Sequence, residues 1–277
     1  MNHFGKINLF VIFFIFLIGC DQNKKLTKNF TISELIINIF NDDIKNEYKL
    51  IAHAGGGINN IKYTNSLEAI NNSIKLGYKL IEIDLIETSD NKLVGAHDWD
   101  HFRKISECCK DNEIPKLEDF KNYKINNSFN TVDYKKINEI FQKNEDLILI
   151  TDKTNNFDLI NTSFTFDERR LIVEIFGREN YFKAIKNDIK NPMYSANINE
   201  LDFIKKHNIK LIAVHSGDFI LNKKIYKKLS DDGTIIFVYS TNDTKFIKEN
   251  SDSISSFYSD FIDVKNKVCV SKECETY

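Results

Sequence analysis

The sequence is poor in the residues on which several protein classes depend. Two prolines and ten glycines exclude a collagen-like or proline-rich architecture, and five cysteines are too few for a fold built on disulfides. Net charge is also nearly absent, because 38 lysines and arginines balance 40 aspartates and glutamates. We therefore expect no broad basic surface and no nucleic-acid partner. What is present, 42% hydrophobic and 28% charged residues in a chain of 277, is typical of a folded globular protein.

The first twenty residues have the pattern of an export signal. Lys6 precedes an unbroken apolar run at 9–18, which is shorter than the roughly 20 residues that cross a bilayer and fits a secretory signal peptide. The run ends in Leu-Ile-Gly-Cys at 17–20, which resembles the motif of bacterial lipoproteins whose cysteine is lipidated. The resemblance implies a signal peptide at 1–19, lipidation of Cys20, and a protein anchored to the bacterial cell envelope, facing the periplasm or the exterior. An ordinary signal peptide with a chance cysteine is the alternative.

The rest of the chain suits a single domain. Removal of residues 1–19 from 277 leaves 258 residues, which is close to the length of about 250 residues of a (β/α)₈ barrel. Residues 20–45 would form the lipidated cysteine, a polar tether and a leading helix, and 46–277 the domain. Because no Gly/Ser/Pro-rich linker or internal repeat interrupts the sequence, we favour one domain over two small ones.

Short β-rich segments alternate with helical patterns along this domain. The predicted strands lie at 48–52, 80–85, 147–151, 171–175, 193–196, 210–214, 234–239 and 255–258. Helical patterns at 66–76, 198–206 and 223–229 separate several of them. Eight strands that alternate with helices favour a parallel barrel, with a doubly wound open sheet as the alternative.

A turn and a further strand interrupt the alternation after the second strand. If Thr88 pairs with Leu93 across a four-residue loop, then Asp84 lies opposite His97. The fold class that we predict is therefore α/β, a (β/α)₈ TIM barrel with a β-hairpin extension after the second strand.

Two acids on the second strand indicate a metal site. Glu82 and Asp84 are two residues apart, so both side chains lie on one face of the strand. Their neighbours are apolar, which is typical of a strand buried on both faces rather than one whose charges point into solvent. Two carboxylates there repel each other unless a cation lies between them, and oxygen ligands favour Ca²⁺ or Mg²⁺.

Two histidines are expected near these acids. His53 ends the first strand, and the hairpin returns His97 to the same mouth. A histidine pair of this kind can serve as general acid and general base near neutral pH. Gly55 and Gly56 would let the backbone approach a substrate closely.

The motifs around these residues resemble one family in order and spacing. They are Ile-Ala-His-Ala-Gly-Gly at 51–56, Asn-Ser-Leu-Glu-Ala at 65–69, Ile-Glu-Ile-Asp-Leu at 81–85, Thr-Ser-Asp at 88–90, Val-Gly-Ala-His-Asp at 94–98 and, more weakly, Tyr-Ser-Thr-Asn at 239–242 and Tyr-Ser-Asp at 258–260. Together they resemble the glycerophosphodiester phosphodiesterase family. That family has a TIM-barrel fold and cleaves phosphodiesters with two histidines and a divalent cation.

The resemblance implies roles for individual residues. His53 and His97 would be the acid/base pair, and Glu82, Asp84 and Asp152 would bind the metal. Relatives usually carry a lysine two residues after the third acid, whereas Lys153 follows Asp152 directly. Adjacent strand residues point to opposite faces unless the strand has ended, so the role of Lys153 as a substrate ligand depends on where the strand ends.

The sequence departs from the family at two positions. Ala54 stands where an arginine usually binds phosphate, and Thr64 replaces a common glutamate. The resemblance therefore implies a site with its catalytic pair and metal acids but without one phosphate ligand.

Three other features each allow two interpretations. Glu174 lies in a buried strand and would border the substrate site, or form an ion pair with a residue such as Arg178. Trp99 would line the substrate mouth or cap the barrel. The four cysteines after Cys20 permit a bridge between Cys269 and Cys274 or one from the loop at 108–109 to the tail.

These observations predict metal-dependent hydrolysis of phosphodiesters such as glycerophosphodiesters. The substrate would be a small phosphodiester or a lipid headgroup. A phospholipase related to sphingomyelinase D or phospholipase C, and a surface lipoprotein that keeps the barrel without catalysis, are the alternatives.

Overall fold

The computed structural model describes residues 50–110 and 112–275. The predicted signal peptide, Cys20, and the tether and leading helix at 20–45 lie outside the described residues. Within the described part, every helix is too short or too polar to traverse a lipid bilayer.

Eight parallel strands form a closed barrel. The described strands are β1 (Leu50–Ala52), β2 (Leu80–Glu87), β3 (Leu93–Gly95), β4 (Lys124–Ile125), β5 (Phe129–Asn130), β6 (Ile148–Asp152), β7 (Leu171–Phe176), β8 (Pro192–Ala196), β9 (Leu211–His215), β10 (Ile235–Tyr239), β11 (Ser256–Ser259), β12 (Ile262–Asp263) and β13 (Val268–Cys269). The barrel order is β1-β2-β6-β7-β8-β9-β10-β11, and β11 pairs with β1 to close it. The predicted barrel is confirmed, and each predicted strand is present with ends shifted by at most two residues.

The barrel interior changes from apolar to acidic along the strands. Alternate residues of a strand point inward, so β2 turns Leu80, Glu82 and Asp84 towards the axis in succession. The apolar inward residues form a buried cluster that includes Leu80, Ile148 and Ile150. The acids follow at the carboxyl ends, where the side chains of TIM-barrel active sites lie.

Helices cover the outside of the barrel. They are α1 (Leu67–Leu76), α2 (Trp99–Ser106), α3 (Leu117–Phe120), α4 (Tyr134–Lys143), α5 (Phe157–Ser163), α6 (Arg178–Lys186), α7 (Leu201–Lys206), α8 (Ser216–Leu221), α9 (Lys223–Asp231) and α10 (Thr244–Asn250). The helix predicted at 66–76 is confirmed as α1. Ser66 Oγ accepts a hydrogen bond from the Ala69 amide at 3.2 Å and caps its first turn, and Gly77 at φ 100° ends it.

The glycines that follow β1 pack against α1. Gly55 O accepts a hydrogen bond from Ser73 Oγ at 2.8 Å, and a Cβ on Gly56, whose φ is 91°, would collide with the same hydroxyl. Close packing and a left-handed φ thus explain why position 56 is glycine. Their predicted contact with substrate stays a prediction.

The hairpin is confirmed, but its predicted register is wrong by one residue. Strand β3 pairs with β2 so that Glu87 lies opposite Leu93 and Leu85 opposite Gly95, which places Ala96, and not His97, opposite Asp84. The loop has three residues instead of four, because the Thr88 amide bonds to Lys92 O at 2.9 Å and Asn91 takes a φ of 55°.

The segment from the hairpin to α4 builds a small core of its own. Its α2, α3 and the β4-β5 hairpin bury Phe102, Phe120 and Ile125 together, with Trp99 packed at the margin. At the other end of the chain, Cys269 and Cys274 form a disulfide, one of the two bridges considered from the sequence.

Candidate active site

Three carboxylates meet at the ends of β2 and β6. One oxygen each from Glu82, Asp84 and Asp152, together called the acid cluster, lies within 4.8 Å of the others. All three side chains are buried. Parallel pairing puts Asp84 beside Asp152, so strand register alone brings the predicted ligands together.

The electrostatics of the acid cluster are unfavourable for three negative charges. Burial raises the pKa of Glu82 well above its usual range, and repulsion from the other two acids adds to it. Burial and repulsion from Asp84 also raise the pKa of Asp152. Burial also acts to raise the pKa of Asp84. The charge of Lys153 and the hydrogen bond from the Asn65 side chain outweigh burial, so the pKa of Asp84 is lowered.

The acid cluster has two oxygens without a hydrogen-bond donor among the described residues. They are Glu82 Oε1 and Asp152 Oδ1, both fully buried. Buried polar atoms normally have a partner, and the donor set is all oxygen, the chemistry that Ca²⁺ and Mg²⁺ prefer. The residues present therefore fit a divalent cation.

The remaining carboxylate oxygens are held by the backbone and by an amide. The Ala54 amide donates to Glu82 Oε2 at 2.6 Å. Asn65 Nδ2 donates to Asp84 Oδ2 at 2.7 Å, and the Asp84 amide donates back to Asn65 Oδ1 at 2.9 Å. At position 54 the backbone, and not a side chain, thus contacts the site.

Lys153 reaches the acid cluster because β6 has ended. Its φ of 69° turns the side chain back towards the barrel axis, and its Nζ lies 2.7 Å from Asp152 Oδ2 and 3.2 Å from Asp84 Oδ1. Burial acts to lower the pKa of Lys153, but the two aspartates outweigh it and raise that pKa. One ammonium thus offsets part of the charge of three carboxylates.

A buried carboxylate lies beside His53. The histidine follows β1 directly, and its Nδ1 lies 3.3 Å from Asp260 Oδ1. Asn242 fixes that aspartate, since its Nδ2 donates to Asp260 Oδ2 at 3.0 Å while its Oδ1 accepts from the Asp260 amide at 2.8 Å. The arrangement leaves Nε2 of His53 as the nitrogen that faces away from the carboxylate.

His97 also lies beside a carboxylate, but that carboxylate is more exposed to solvent. Nδ1 of His97 lies 2.6 Å from Asp98 Oδ2, and Asp98 also caps α2 by accepting from the His101 amide at 2.7 Å. The Asp98 side chain is 50% exposed, whereas that of Asp260 is 3% exposed. The two imidazoles therefore have like partners in different dielectric surroundings.

An aromatic residue that the sequence did not indicate lies between the two histidines. The ring of Tyr63 is 4.8 Å from that of His53 and 6.2 Å from that of His97, both edge to face. Both predicted catalytic histidines therefore contact the same aromatic ring. His101 is a neighbour of His97, with ring centroids 5.9 Å apart, and His215 is exposed at the end of β9.

A cavity of about 210 Å³ opens at the acid cluster and His53, and neither His97 nor Tyr63 is among its lining residues. Its lining comprises the acid cluster, His53, Lys153, Glu174, Phe176, Tyr239 and Tyr258. Glu174 accepts a hydrogen bond from Tyr258 at 2.9 Å, and burial raises the pKa of its carboxyl group. The alternative ion pair of Glu174 with Arg178 is wrong, because Arg178 binds Glu200.

Trp99 is not part of this lining. Its ring packs edge to face on Phe102 and Phe120 at 5.9 and 6.1 Å, so it belongs to the small core beside the barrel. Both roles predicted for it, lining the mouth and capping the barrel, stay predictions. A larger cavity, of about 430 Å³, lies between α5 and the loop before β7. It contains none of the predicted catalytic residues.

Fold and site together indicate a class, a barrel hydrolase with an acid cluster that could hold a cation and two imidazoles that each lie beside a carboxylate. The model of the glycerophosphoryl diester phosphodiesterase family matches residues 53–245, and the chain belongs to that family. It is a phosphoric diester hydrolase, as the motif resemblance implied.

Solved structures of enzymes from this family share the fold. A glycerophosphodiester phosphodiesterase from Thermotoga maritima is 19% identical with a TM-score of 0.62, over 79% of this chain and 95% of that one. One from Parabacteroides distasonis is 16% identical with a TM-score of 0.62, over 90% and 96%. An Oleispira antarctica phosphodiesterase in complex with the product sn-glycerol-3-phosphate is 14% identical with a TM-score of 0.64, over 79% and 96%. No curated protein sequence matches this chain.

The acid cluster makes stability depend on pH when no cation is bound. Because the folded-state pKa values of Glu82 and Asp152 lie above the unfolded values of about 4, the folded state binds more protons than the unfolded state between these values. We therefore predict that, in the presence of chelator, the free energy of unfolding falls as pH rises above the unfolded values and through the folded-state pKa values of the two acids. Thermal or urea unfolding at several pH values measures this.

Excess Mg²⁺ or Ca²⁺ should remove most of this pH dependence. The Asp152→Asn variant should show a weaker dependence in chelator, and Glu249→Gln, which changes an exposed acid on α10, should behave as the wild type. A stability that is flat across this range in chelator would contradict the interpretation.

Proposed function

We propose that the enzyme hydrolyses glycerophosphodiesters with a divalent cation and a two-histidine acid/base mechanism. The observation that carries the proposal is the meeting of two carboxylate-supported imidazoles beside an acid cluster with two unpaired buried oxygens. The family membership and the product bound to the Oleispira antarctica phosphodiesterase support the substrate class.

Glu82, Asp84 and Asp152 would hold the cation, with Ca²⁺ or Mg²⁺ favoured by their oxygen chemistry. When bound, the cation supplies Lewis acidity that neutralises charge on the phosphodiester. Lys153 has the one ammonium or guanidinium group among the described residues that line the cavity. It would bind a phosphate oxygen, a role that the small Ala54 side chain cannot fill.

The histidines would move the protons. One imidazole accepts the proton of the nucleophile, which is a water or a neighbouring hydroxyl of the substrate, and the other protonates the departing oxygen. Asp260 and Asp98 each face Nδ1, so they favour a proton there and leave Nε2 for the substrate. A charged imidazolium forming in the reaction would also be stabilised by the adjacent carboxylate.

The described cavity suits a small polar substrate. Its volume of about 210 Å³ is below the usual range of about 300 Å³ and above for drug-sized ligands, and its walls carry acids, a lysine and tyrosines. A glycerophosphate group fits such a site, whether it belongs to a soluble diester or to a lipid headgroup.

We further propose that the enzyme is a lipoprotein of the cell envelope, attached by Cys20 through the segment at 20–45. The apolar run at 9–18 and the cysteine that ends its motif support this. The disulfide between Cys269 and Cys274 fits an oxidising compartment outside the cytoplasm.

Replacement of either catalytic histidine should abolish most of the activity. We predict that His53→Ala and His97→Ala each lower kcat on glycerophosphocholine by about 10²–10⁴-fold, while cation binding measured by calorimetry persists. His101→Ala and His215→Ala are matched controls near the same mouth and should change kcat little. Full activity in both histidine variants, or turnover insensitive to chelator, would contradict the mechanism.

The two supporting carboxylates should differ in importance. We predict that Asp260→Asn lowers kcat more than Asp98→Asn does, because the Asp260 side chain is 3% exposed and water screens it least. Asparagine at 98 also retains the α2 cap. Steady-state kinetics over a pH series would check this, since loss of a positioning carboxylate shifts the pH profile, and equal losses in both variants would argue against it.

Lipidation at Cys20 should place the enzyme in the membrane fraction. We predict that Cys20→Ala prevents incorporation of a radiolabelled fatty acid and releases the enzyme from membranes washed with high salt, because one point change removes the acylation site. Cys108→Ala serves as the control. Unchanged membrane association of Cys20→Ala would show that the cysteine is not the anchor.

A further inference from the structure

Unusually exposed apolar side chains occur where α8 turns into α9. Leu221 is 84% and Ile220 57% exposed, and Ile225 is also exposed. We call these three residues the apolar corner. Contiguous exposed apolar groups on a soluble surface indicate an interaction site, whereas isolated ones need no explanation.

The apolar corner is held rigidly by the residues beneath it. Tyr226 donates its hydroxyl to Asp218 Oδ2, which also accepts from the Ile198 amide at 2.9 Å. Asn222 Nδ2 donates to Asp218 Oδ1 at 3.0 Å. Phe219 and Tyr226 stack in the core with ring centroids 5.9 Å apart, so the exposure of Leu221 is a property of a fixed turn.

Four exposed lysines follow the apolar corner on α9: Lys223, Lys224, Lys227 and Lys228. In the described parts of the chain, Lys227 is paired with Asp231 at 3.9 Å, and no carboxylate lies within ion-pair distance of the other three. Since the whole chain has a net charge of −2, this is a local concentration of positive charge. It complements an anionic surface.

The apolar corner lies on the same end of the barrel as the active-site cavity. Helix α8 begins directly after His215, the last residue of β9, whose ring is 5.6 Å from that of Tyr239 in the cavity wall. Six helical residues extend roughly 9 Å, so Leu221 stands within about that distance of the strand ends. Phe176, an exposed aromatic residue, lines the cavity itself.

We propose that the apolar corner and the lysines of α9 dock the enzyme on an anionic lipid bilayer, with the active-site mouth towards the headgroups. Apolar side chains beside a lysine-rich helical face are typical of elements that lie in the membrane interface. Three exposed residues give too little area for a stable protein partner, which needs about 800 Å² on each side. The inference rests on the proposed function, because it makes phosphodiester headgroups of lipids the substrate class.

Tryptophan fluorescence can test the docking independently of catalysis. The chain has a single tryptophan, so the full chain with Leu221→Trp carries one additional reporter at the apolar corner. The control is Ile185→Trp on the last turn of α6, where the native isoleucine is 51% exposed at the opposite end of the barrel. We expect vesicles of brominated phosphatidylglycerol and phosphatidylcholine to quench the added fluorescence of Leu221→Trp several-fold more than that of Ile185→Trp.

The lysines should contribute by charge. In the Leu221→Trp background, Lys223→Ala with Lys224→Ala should lower the ratio of inserted to free enzyme by roughly fivefold per lysine on anionic vesicles. On phosphatidylcholine alone the two lysines should matter little. The matched control is Lys205→Ala with Lys206→Ala, an adjacent exposed pair at the end of α7.

A kinetic comparison connects docking to substrate. Ile220→Ser with Leu221→Ser should lower turnover of a vesicle-embedded phosphodiester about tenfold or more and leave turnover of glycerophosphocholine unchanged, whereas Ile185→Ser should alter neither. Equal quenching at positions 221 and 185, or none at either, overturns the docking. Normal quenching in an enzyme that hydrolyses neither diester would instead overturn the proposed function and leave the docking in place.

Discussion

Mutual repulsion among three buried carboxylates is the constraint around which the active site is built. The sheet register of β2 and β6 forces Glu82, Asp84 and Asp152 together inside the barrel, where water cannot screen their charges. Lys153 compensates for part of that charge, and protonation or a bound cation must compensate for the rest. A buried cluster of this kind attracts positive charge, and Lys153 at the carboxyl end of β6 turns towards the barrel axis to meet it.

The candidate site residues are supported by polar groups that do not line the cavity. Asn242 aligns Asp260, which in turn faces His53, and Asn65 holds both the side chain and the backbone of Asp84. The hydrogen bonds made by Asn242 and Asn65 lie in a low-dielectric interior, where they restrict the rotamers of Asp260 and Asp84. Contacts within the protein therefore hold Asp84 and Asp260 in place.

Much of this arrangement can be predicted from the sequence, because it follows from alternation. The eight strands, the helix α1 and the convergence of the two acids of β2 all derive from periods of 2 and 3.6. The left-handed residues are different. Asn91 shortens the hairpin loop by one residue, and Lys153 turns back into the site. Each outcome depends on a single positive φ angle, which no repeating sequence pattern predicts.

Contacts between residues far apart in the chain could not be predicted from the sequence either. Asp260 lies more than 200 residues from His53, and Tyr63 sits in an irregular loop with a left-handed φ of 60°, so no periodicity connects either to the catalytic pair. The family motif at 258–260 contained Asp260 without indicating its contact. The spacing of motifs identifies which residues matter, whereas the closed barrel decides what each of them touches.

The small core beside the barrel divides the active site between two structural units. His53 is attached to β1, but His97 begins the segment whose own core is formed by α2, α3 and the β4-β5 hairpin. That segment is joined to the barrel by the pairing of β3 with β2, by the Ala96 amide, which donates to Asp84 O at 3.0 Å, and by the Asn130 amide, which donates to Glu68 Oε2 at 2.7 Å. The position of His97 relative to His53 therefore depends on how the small core packs against the barrel, so sequence changes within that core can alter the spacing of the two imidazoles while every residue of the barrel rim stays the same.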